Sequence, residues 1–253
     1  EFILPVLIVF LLTLTSWENI WLLISLLVLI FLPITSYYLV KNINLDSREK
    51  TSETKVEEEN IKQWKRSEVI KDYRFYIINL NMLAMPWIAT GSFVYQSFIS
   101  DSKGWGQYII AQSFMSYSVL SVITLLISGF LIDKFTSRKL LIYMNIPLFL
   151  SVLTIIYFNL PFSAFIFFGL LGVTNGLANL LGSSIWAEIY GVKHIGSIKA
   201  LTTALMVFAT AFGTALFGIL IDNGFTIEKI AVVSGVYILA SISALFFIRN
   251  RLN

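Results

Sequence analysis

Gly129-Phe130-Leu131-Ile132-Asp133-Lys134-Phe135-Thr136-Ser137-Arg138-Lys139 is a charged turn set between two long apolar runs. Asp133, Lys134, Arg138 and Lys139 crowd into it, and the flanking sequence on either side is close to pure hydrocarbon. Lysine and arginine collect in the cytoplasmic loops between membrane helices, so a short basic turn of this kind reads as such a loop. The runs beside it do not alternate apolar with polar, as barrel strands would. A backbone in hydrocarbon must then satisfy its own polar groups, which a helix does. The turn therefore reads the chain as an all-α membrane protein.

Composition agrees. The chain is 57% hydrophobic and 13% charged, with a mean hydropathy of +0.80, whereas soluble domains carry about 25% charged residues. A spanning helix needs about 20 mostly apolar residues. Eight stretches qualify or nearly do: 2–16, 19–40, 74–99, 106–132, 140–158, 161–189, 197–221 and 228–248. The first is short. Glu1-Phe2-Ile3-Leu4-Pro5 opens inside an apolar run, with no initiator Met and no basic n-region of a signal peptide. The expectation is a fragment whose earlier helices are missing.

Charge sets the orientation. With residues 41–73 in the cytoplasm and strict alternation thereafter, every lysine and arginine except Lys103 and Lys229 falls on the cytoplasmic side. The C-terminus lies there too, and the membrane is a plasma membrane, or the inner membrane of a bacterium. Residues 1–40 then hold two helices, 41–73 a cytoplasmic linker and 74–253 a six-helix bundle. Within the linker, Asp46 to Lys62 has little apolar content and is expected to be disordered. Ile61, Trp64, Val69 and Ile70 would let the part from 61 to 73 lie as an amphipathic helix among lipid headgroups. The plainer reading is a solvated connector.

The turn resembles the Gly-x-Leu-x-Asp-Arg-x-Gly-Arg-Arg motif of major facilitator transporters, which follows the second helix of each six-helix half. Gly129, Leu131, Asp133, Lys134, Arg138 and Lys139 match it. Thr136 stands where the motif has its second glycine, and the basic pair falls one residue later. The resemblance implies a twelve-helix fold seen from its fifth helix onward. It also implies alternating access by rocking of the halves, and a gating role for the turn. Trp186-Ala187-Glu188-Ile189-Tyr190-Gly191, with His194, Gly196 and Lys199, is similar to the matching turn of the monocarboxylate and oxalate–formate exchanger-like branches. Glu188 is placed to pair with Arg138 or Lys139. The gating latch is thus expected to comprise Gly129, Asp133, Lys134, Arg138, Lys139 and Glu188.

No Asp, Glu, Lys or Arg falls in the middle of a span of the six-helix block. An ionisable group there would cost at least about 2.5 kcal/mol, and its presence would mark function. What remains is uncharged: Asn79, Asn81, Thr90, Tyr95 and Gln96 on the helix from 74, with Pro86 and Gly91 able to interrupt it. Then come Gln112, Ser116 and Tyr117, then Asn175 and Asn179 one turn apart, then Thr202, Thr203, Thr210 and Thr214. The family's first, second, fourth and fifth helices of this half face the central cavity. That makes Tyr95, Gln96, Gln112, Tyr117, Asn175 and Asn179 the substrate-cavity candidates; as a plainer alternative, they only tie helices together. Glycines such as Gly172 and Gly213 read as close-packing sites. Trp17, Trp21, Trp87, Trp105 and Trp186 read as interfacial anchors.

Several classes drop out. The chain has no cysteine and one histidine, His194, so no zinc site is expected. No phosphate-loop or nucleophile-elbow pattern appears. No cofactor, enzyme activity or nucleic-acid partner is expected. The partners expected are the bilayer and a small, organic solute, with a co-transported or exchanged ion where transport is coupled; the full-length protein is expected to be a monomer. The reading is secondary active or facilitative transport. The alternative is a non-transporting receptor or scaffold on the same fold.

Overall fold

A computed structural model describes residues 4–41 and 62–251. It divides into two compact units, with the boundary between residues 60 and 61. The expected disorder of 46–62 falls almost wholly outside the described residues, as does Ile61.

The first unit holds α1 (Leu4–Leu12) and α2 (Trp17–Lys41). Trp21, Leu22, Leu23 and Val28, which point to different sides of α2, are all exposed. A helix apolar on every side is built for hydrocarbon rather than water.

The second unit begins with a strap, residues 62–72, which contains the short helix α3 (Arg66–Val69). The bundle follows: α4 (Tyr73–Met82), α5 (Ala84–Val94), α6 (Gln96–Lys103), α7 (Gln107–Phe135), α8 (Ser137–Tyr143), α9 (Ile146–Tyr157), α10 (Phe162–Tyr190), α11 (Ile195–Asp222) and α12 (Ile227–Ile248). No strand occurs among the described residues. Among the described residues, seven segments are long and apolar enough to cross a membrane: one in the first unit and six in the second. This is an all-α, multi-pass membrane protein.

Two of the expected helices are broken, and in each a proline lies just after the first break. The run from 74 parts at Leu83 and again at Tyr95. Pro86 has no N–H for the carbonyl of Met82, four residues back, and its ring crowds that carbonyl. Pro147, in the first turn of α9, does the same to Tyr143, the last residue of α8.

α10 packs along α7 and also touches α9, while α11 lies on α5 and α12 lies on α9 and α4. Glycine permits the closest approaches. A Cβ on Gly172 would meet the backbone of Tyr117 in α7, and one on Gly213 would meet the backbone of Trp87 in α5.

Two expectations are corrected. Trp87, Trp105 and Trp186 are buried inside the bundle rather than anchored at an interface. Lipid tails and a helix core are equally apolar, so hydropathy could not tell the two apart. Only Trp17 and Trp21 are exposed as anchors would be. Val69 does not face headgroups; it is fully buried in a cluster with Phe75, Trp186, Ile189 and Tyr190. Lys103, one of the two cations left off the cytoplasmic side in the charge count, is buried.

Candidate functional site

A cavity of about 460 Å³ opens within the second unit, between α4–α5, α7, α10 and α11. Small-molecule sites usually measure about 300–1,000 Å³. On α10 the wall is Asn175, Ala178, Asn179, Gly182, Ser183 and Trp186; on α11 it is Lys199, Thr202, Thr203, Met206 and Thr210. Both series step by three or four residues, so each is one helical face. The helix breaks at Leu83 and Tyr95 bound the third wall, where Met85, Pro86, Ala89, Thr90 and Phe93 of α5 face inward beside Asn79 and Met82 of α4. Only Tyr117 comes from α7.

Three of the six sequence-derived cavity residues meet here: Tyr117, Asn175 and Asn179. Three do not. Gln112 lies five residues before Tyr117, about 140° round the helix at 100° per residue. Tyr95 sits at the α5–α6 break and lies parallel to Phe217, with ring centres 6.3 Å apart. The break resets the helical register, so spacing counted from α4 misplaces Tyr95 and its neighbour Gln96. The buried Oε1 of Gln96 has no hydrogen-bond partner among the described residues.

The polar wall is already partly committed. Asn175 Nδ2 donates to Ser121 Oγ at 2.8 Å, and Asn79 Nδ2 to the Phe75 carbonyl at 2.8 Å. Thr202 and Thr210 donate to carbonyls of their own helix. Trp186 forms the floor, nearly parallel to Tyr190 at 6.2 Å and tilted on Phe75. Sequence reasoning missed Lys199, Ser183 and Trp186 as lining residues. The three-to-four-residue spacing of Lys199 with Thr202, Thr203 and Met206 was the available signal.

One end of the bundle carries the turn at 136, the turn at 191–194 and the last residues of α12. There the Glu188 Oε2 atom accepts the Ser137 N–H at 2.9 Å, and Arg138 Nη2 donates to the Glu188 carbonyl at 2.6 Å. Arg138 Nε lies 3.1 Å from Glu188 Oε1, an ion-pair contact without hydrogen-bond alignment. Ser137 Oγ also bonds Ser184 Oγ at 2.9 Å. Thr136 has φ +69° and ψ 152°, a conformation that is essentially glycine's alone. It occupies the motif's glycine position. Glu188, rather than Asp133, closes the start of α8. Asp133 and Lys139 are exposed, Lys134 rests over the Phe135 ring, and Gly129 has open space beside it.

The strap lies across the α10–α11 turn at this same end. The Trp64 N–H donates to the Tyr190 carbonyl at 3.0 Å, and the Lys193 N–H donates to Gln63 Oε1 at 2.9 Å. Tyr190 Oη donates to Asp72 Oδ2 at 3.1 Å, and that carboxylate also holds Arg74 at 2.9 Å. At the other end, Lys103 Nζ sits 2.6 Å from Glu228 Oε1 and donates to Asn159 Oδ1 at 2.8 Å. This clamp ties together three connections between helices. Among the described residues, no group of histidines or carboxylates could hold a metal ion.

No curated protein and no solved structure matches the chain. The family model described as Major Facilitator Superfamily matches residues 2–168, well over half of it. With seven apolar spans among the described residues, a cavity with polar side chains between four of those spans and that match, the chain belongs to the Major Facilitator Superfamily, whose members carry solutes across membranes.

Proposed function

We propose that the chain forms part of a secondary active or facilitative transporter of a small organic solute, working by alternating access. The observation that carries this is the cavity itself. Its polar groups lie on inward faces of α4, α5, α7, α10 and α11, while many of the spans' outward side chains are apolar. In this reading the second unit is the C-terminal six-helix half, and α1 and α2 belong to the N-terminal half. The end with the 136 turn, the strap and the C-terminus is cytoplasmic, in a plasma membrane or a bacterial inner membrane.

Glu188, Ser137 and Arg138 would act as a latch that stabilises one of the two access states, with Asp133, Lys134 and Lys139 free to engage the other half. Gly129 leaves room for that approach. The solute would bind against Tyr117, Asn175 and Asn179. Uptake by proteoliposomes containing the full-length protein tests the reading. Saturable, counterflow-competent uptake of an organic solute supports it. Absence of uptake across a broad solute panel overturns it and favours a receptor or scaffold.

A further inference from the structure

Asn81 and Asn145 are both fully buried. Asn81 is the last residue but one of α4, and Asn145 is the N-cap of α9. Asn145 Nδ2 donates to the Asn81 backbone carbonyl at 2.7 Å, so the two residues are neighbours. Beyond that bond their side chains are unmatched. Asn81 Nδ2, Asn81 Oδ1 and Asn145 Oδ1 have no hydrogen-bond partner among the described residues. Buried polar atoms in folded proteins are nearly always paired, with protein or with ordered water.

These three atoms lie where two spans are interrupted side by side. α4 gives way to α5 at Leu83, and α8 gives way to α9 at Met144 and Asn145. Pro86 and Pro147 leave the carbonyls of Met82 and Tyr143 without their helical donors. Tyr237 of α12 donates to the Leu80 carbonyl at 2.7 Å, which brings a third span to the same turn. Breaks of this kind survive in membrane helices because neighbouring side chains and ordered waters satisfy the freed groups.

The polarity of the unmatched atoms selects the ligand. One is a donor and two are acceptors. Turning the Asn81 amide over leaves the same demand, and the Asn145 amide is fixed by its bond to the carbonyl. A metal cation would serve only the two acceptors, and no acid occurs within α4, α8 or α9 to balance its charge. An anion would serve only the donor. Water carries two O–H groups for the acceptors and a lone pair for the donor, and buried waters typically make about three hydrogen bonds.

We infer that Asn81 and Asn145 form a binding site for an ordered water, which ties the α4–α5 break to the α8–α9 break. The water accepts from Asn81 Nδ2 and donates to the two Oδ1 atoms. The site lies behind the cavity rather than in it, since Asn79 and Met82 line the wall and Asn81 does not. It therefore stands or falls independently of the transport reading.

The test is a density map of the full-length protein in lipid nanodiscs, at a resolution that shows ordered water. A peak is expected within about 3.2 Å of Asn81 Nδ2 and Asn145 Oδ1. A peak that appears only with added sodium or potassium would be a cation and would overturn the inference. So would the lack of any peak, with both amides turned onto protein groups. Stability gives a second reading by its sign. A bare amide in an apolar core is a burden, so Asn81→Leu would then raise the unfolding temperature. A hydrated amide is a support, so Asn81→Leu is expected to lower it, by at least about 2 °C. Asn145→Leu removes the other end of the bridge, and the double variant should lose less than the sum of the two single losses. A raised unfolding temperature in Asn81→Leu, or strict additivity, overturns the inference. Where a variant does not fold, the map of the unaltered protein still decides.

Discussion

Glu188 grips Arg138 with two different groups: its side-chain oxygen lies 3.1 Å from Nε, and its backbone carbonyl accepts from Nη2 at 2.6 Å. Its other carboxylate oxygen takes the Ser137 N–H. One residue of α10 therefore both anchors the basic turn and closes the start of α8. Arg138→Ala and Glu188→Ala should each lower the transport rate. The double variant should be little worse than either, with a coupling of about 1 kcal/mol in a double-mutant cycle of thermal stability. Strict additivity would show that the pair does not act as a unit.

Asp133 is exposed and makes no ion pair among the described residues. Asp133→Asn should leave stability within about 0.5 kcal/mol, as for a surface site, yet reduce uptake by the full-length protein. Unchanged uptake kinetics would remove Asp133 from the latch.

Thr136 holds φ +69° without being a glycine. Such a conformation costs about 1–3 kcal/mol, and glycine's own entropic penalty is about 0.5–1 kcal/mol. Thr136→Gly should therefore raise stability by about 1 kcal/mol, seen as a higher unfolding temperature in detergent. A lower one would mean that the threonine side chain contributes more than its strain costs.

Gly172 meets the Tyr117 backbone where α10 lies on α7. Gly172→Ala should force these helices apart and destabilise by about 1–3 kcal/mol, the usual range for overpacking. Gly129→Ala, with open space around it, should cost nothing measurable in a helix interior. Equal thermal shifts for the two would contradict the packing account.

Glu68 accepts the Lys65 backbone N–H at 2.8 Å and pairs with Lys62 at 3.0 Å. That hydrogen bond first, and Lys62 second, hold its pKa below the ordinary carboxylate value against a smaller opposing effect of burial. Because the folded value is the lower one, the undocked strap binds the proton more readily. The contribution is complete above the unfolded pKa of about 4.3 and is lost as pH falls through the folded value. Amide exchange at Trp64 should stay slow from neutral pH to about 5 and quicken below about 4. Glu68→Gln should abolish that acid dependence.

Much of this was readable beforehand, and the rest was hidden for physical reasons. Spans were legible because the bilayer demands about 20 apolar residues in a row. Two charged turns at one end of neighbouring helices placed Glu188 to pair with Arg138 or Lys139, and Arg138 is the partner it takes. Trp87 and Trp186 were misread because hydropathy reports distance from water, not which apolar neighbour lies alongside. Pro86 announced an interruption, but the second break at Tyr95 has no proline, and so Tyr95 and Gln96 were assigned to the wrong wall. Lys199 escaped notice because counting charges by span sends a residue near a helix end to the loop. A lysine side chain reaches several ångströms back along its helix.

The clamp of Lys103, Asn159 and Glu228 has a consequence for how the protein is made. Lys103 leaves the ribosome long before Glu228, so an ammonium destined for burial waits through the synthesis of α7 to α11 for its carboxylate. Until α12 is in place, the unfinished bundle exposes an unmatched charge at one end. Completion of the last helix is therefore registered chemically, at a site that shares no residue with the cavity wall, and a chain that stops short of α12 carries its own mark of immaturity.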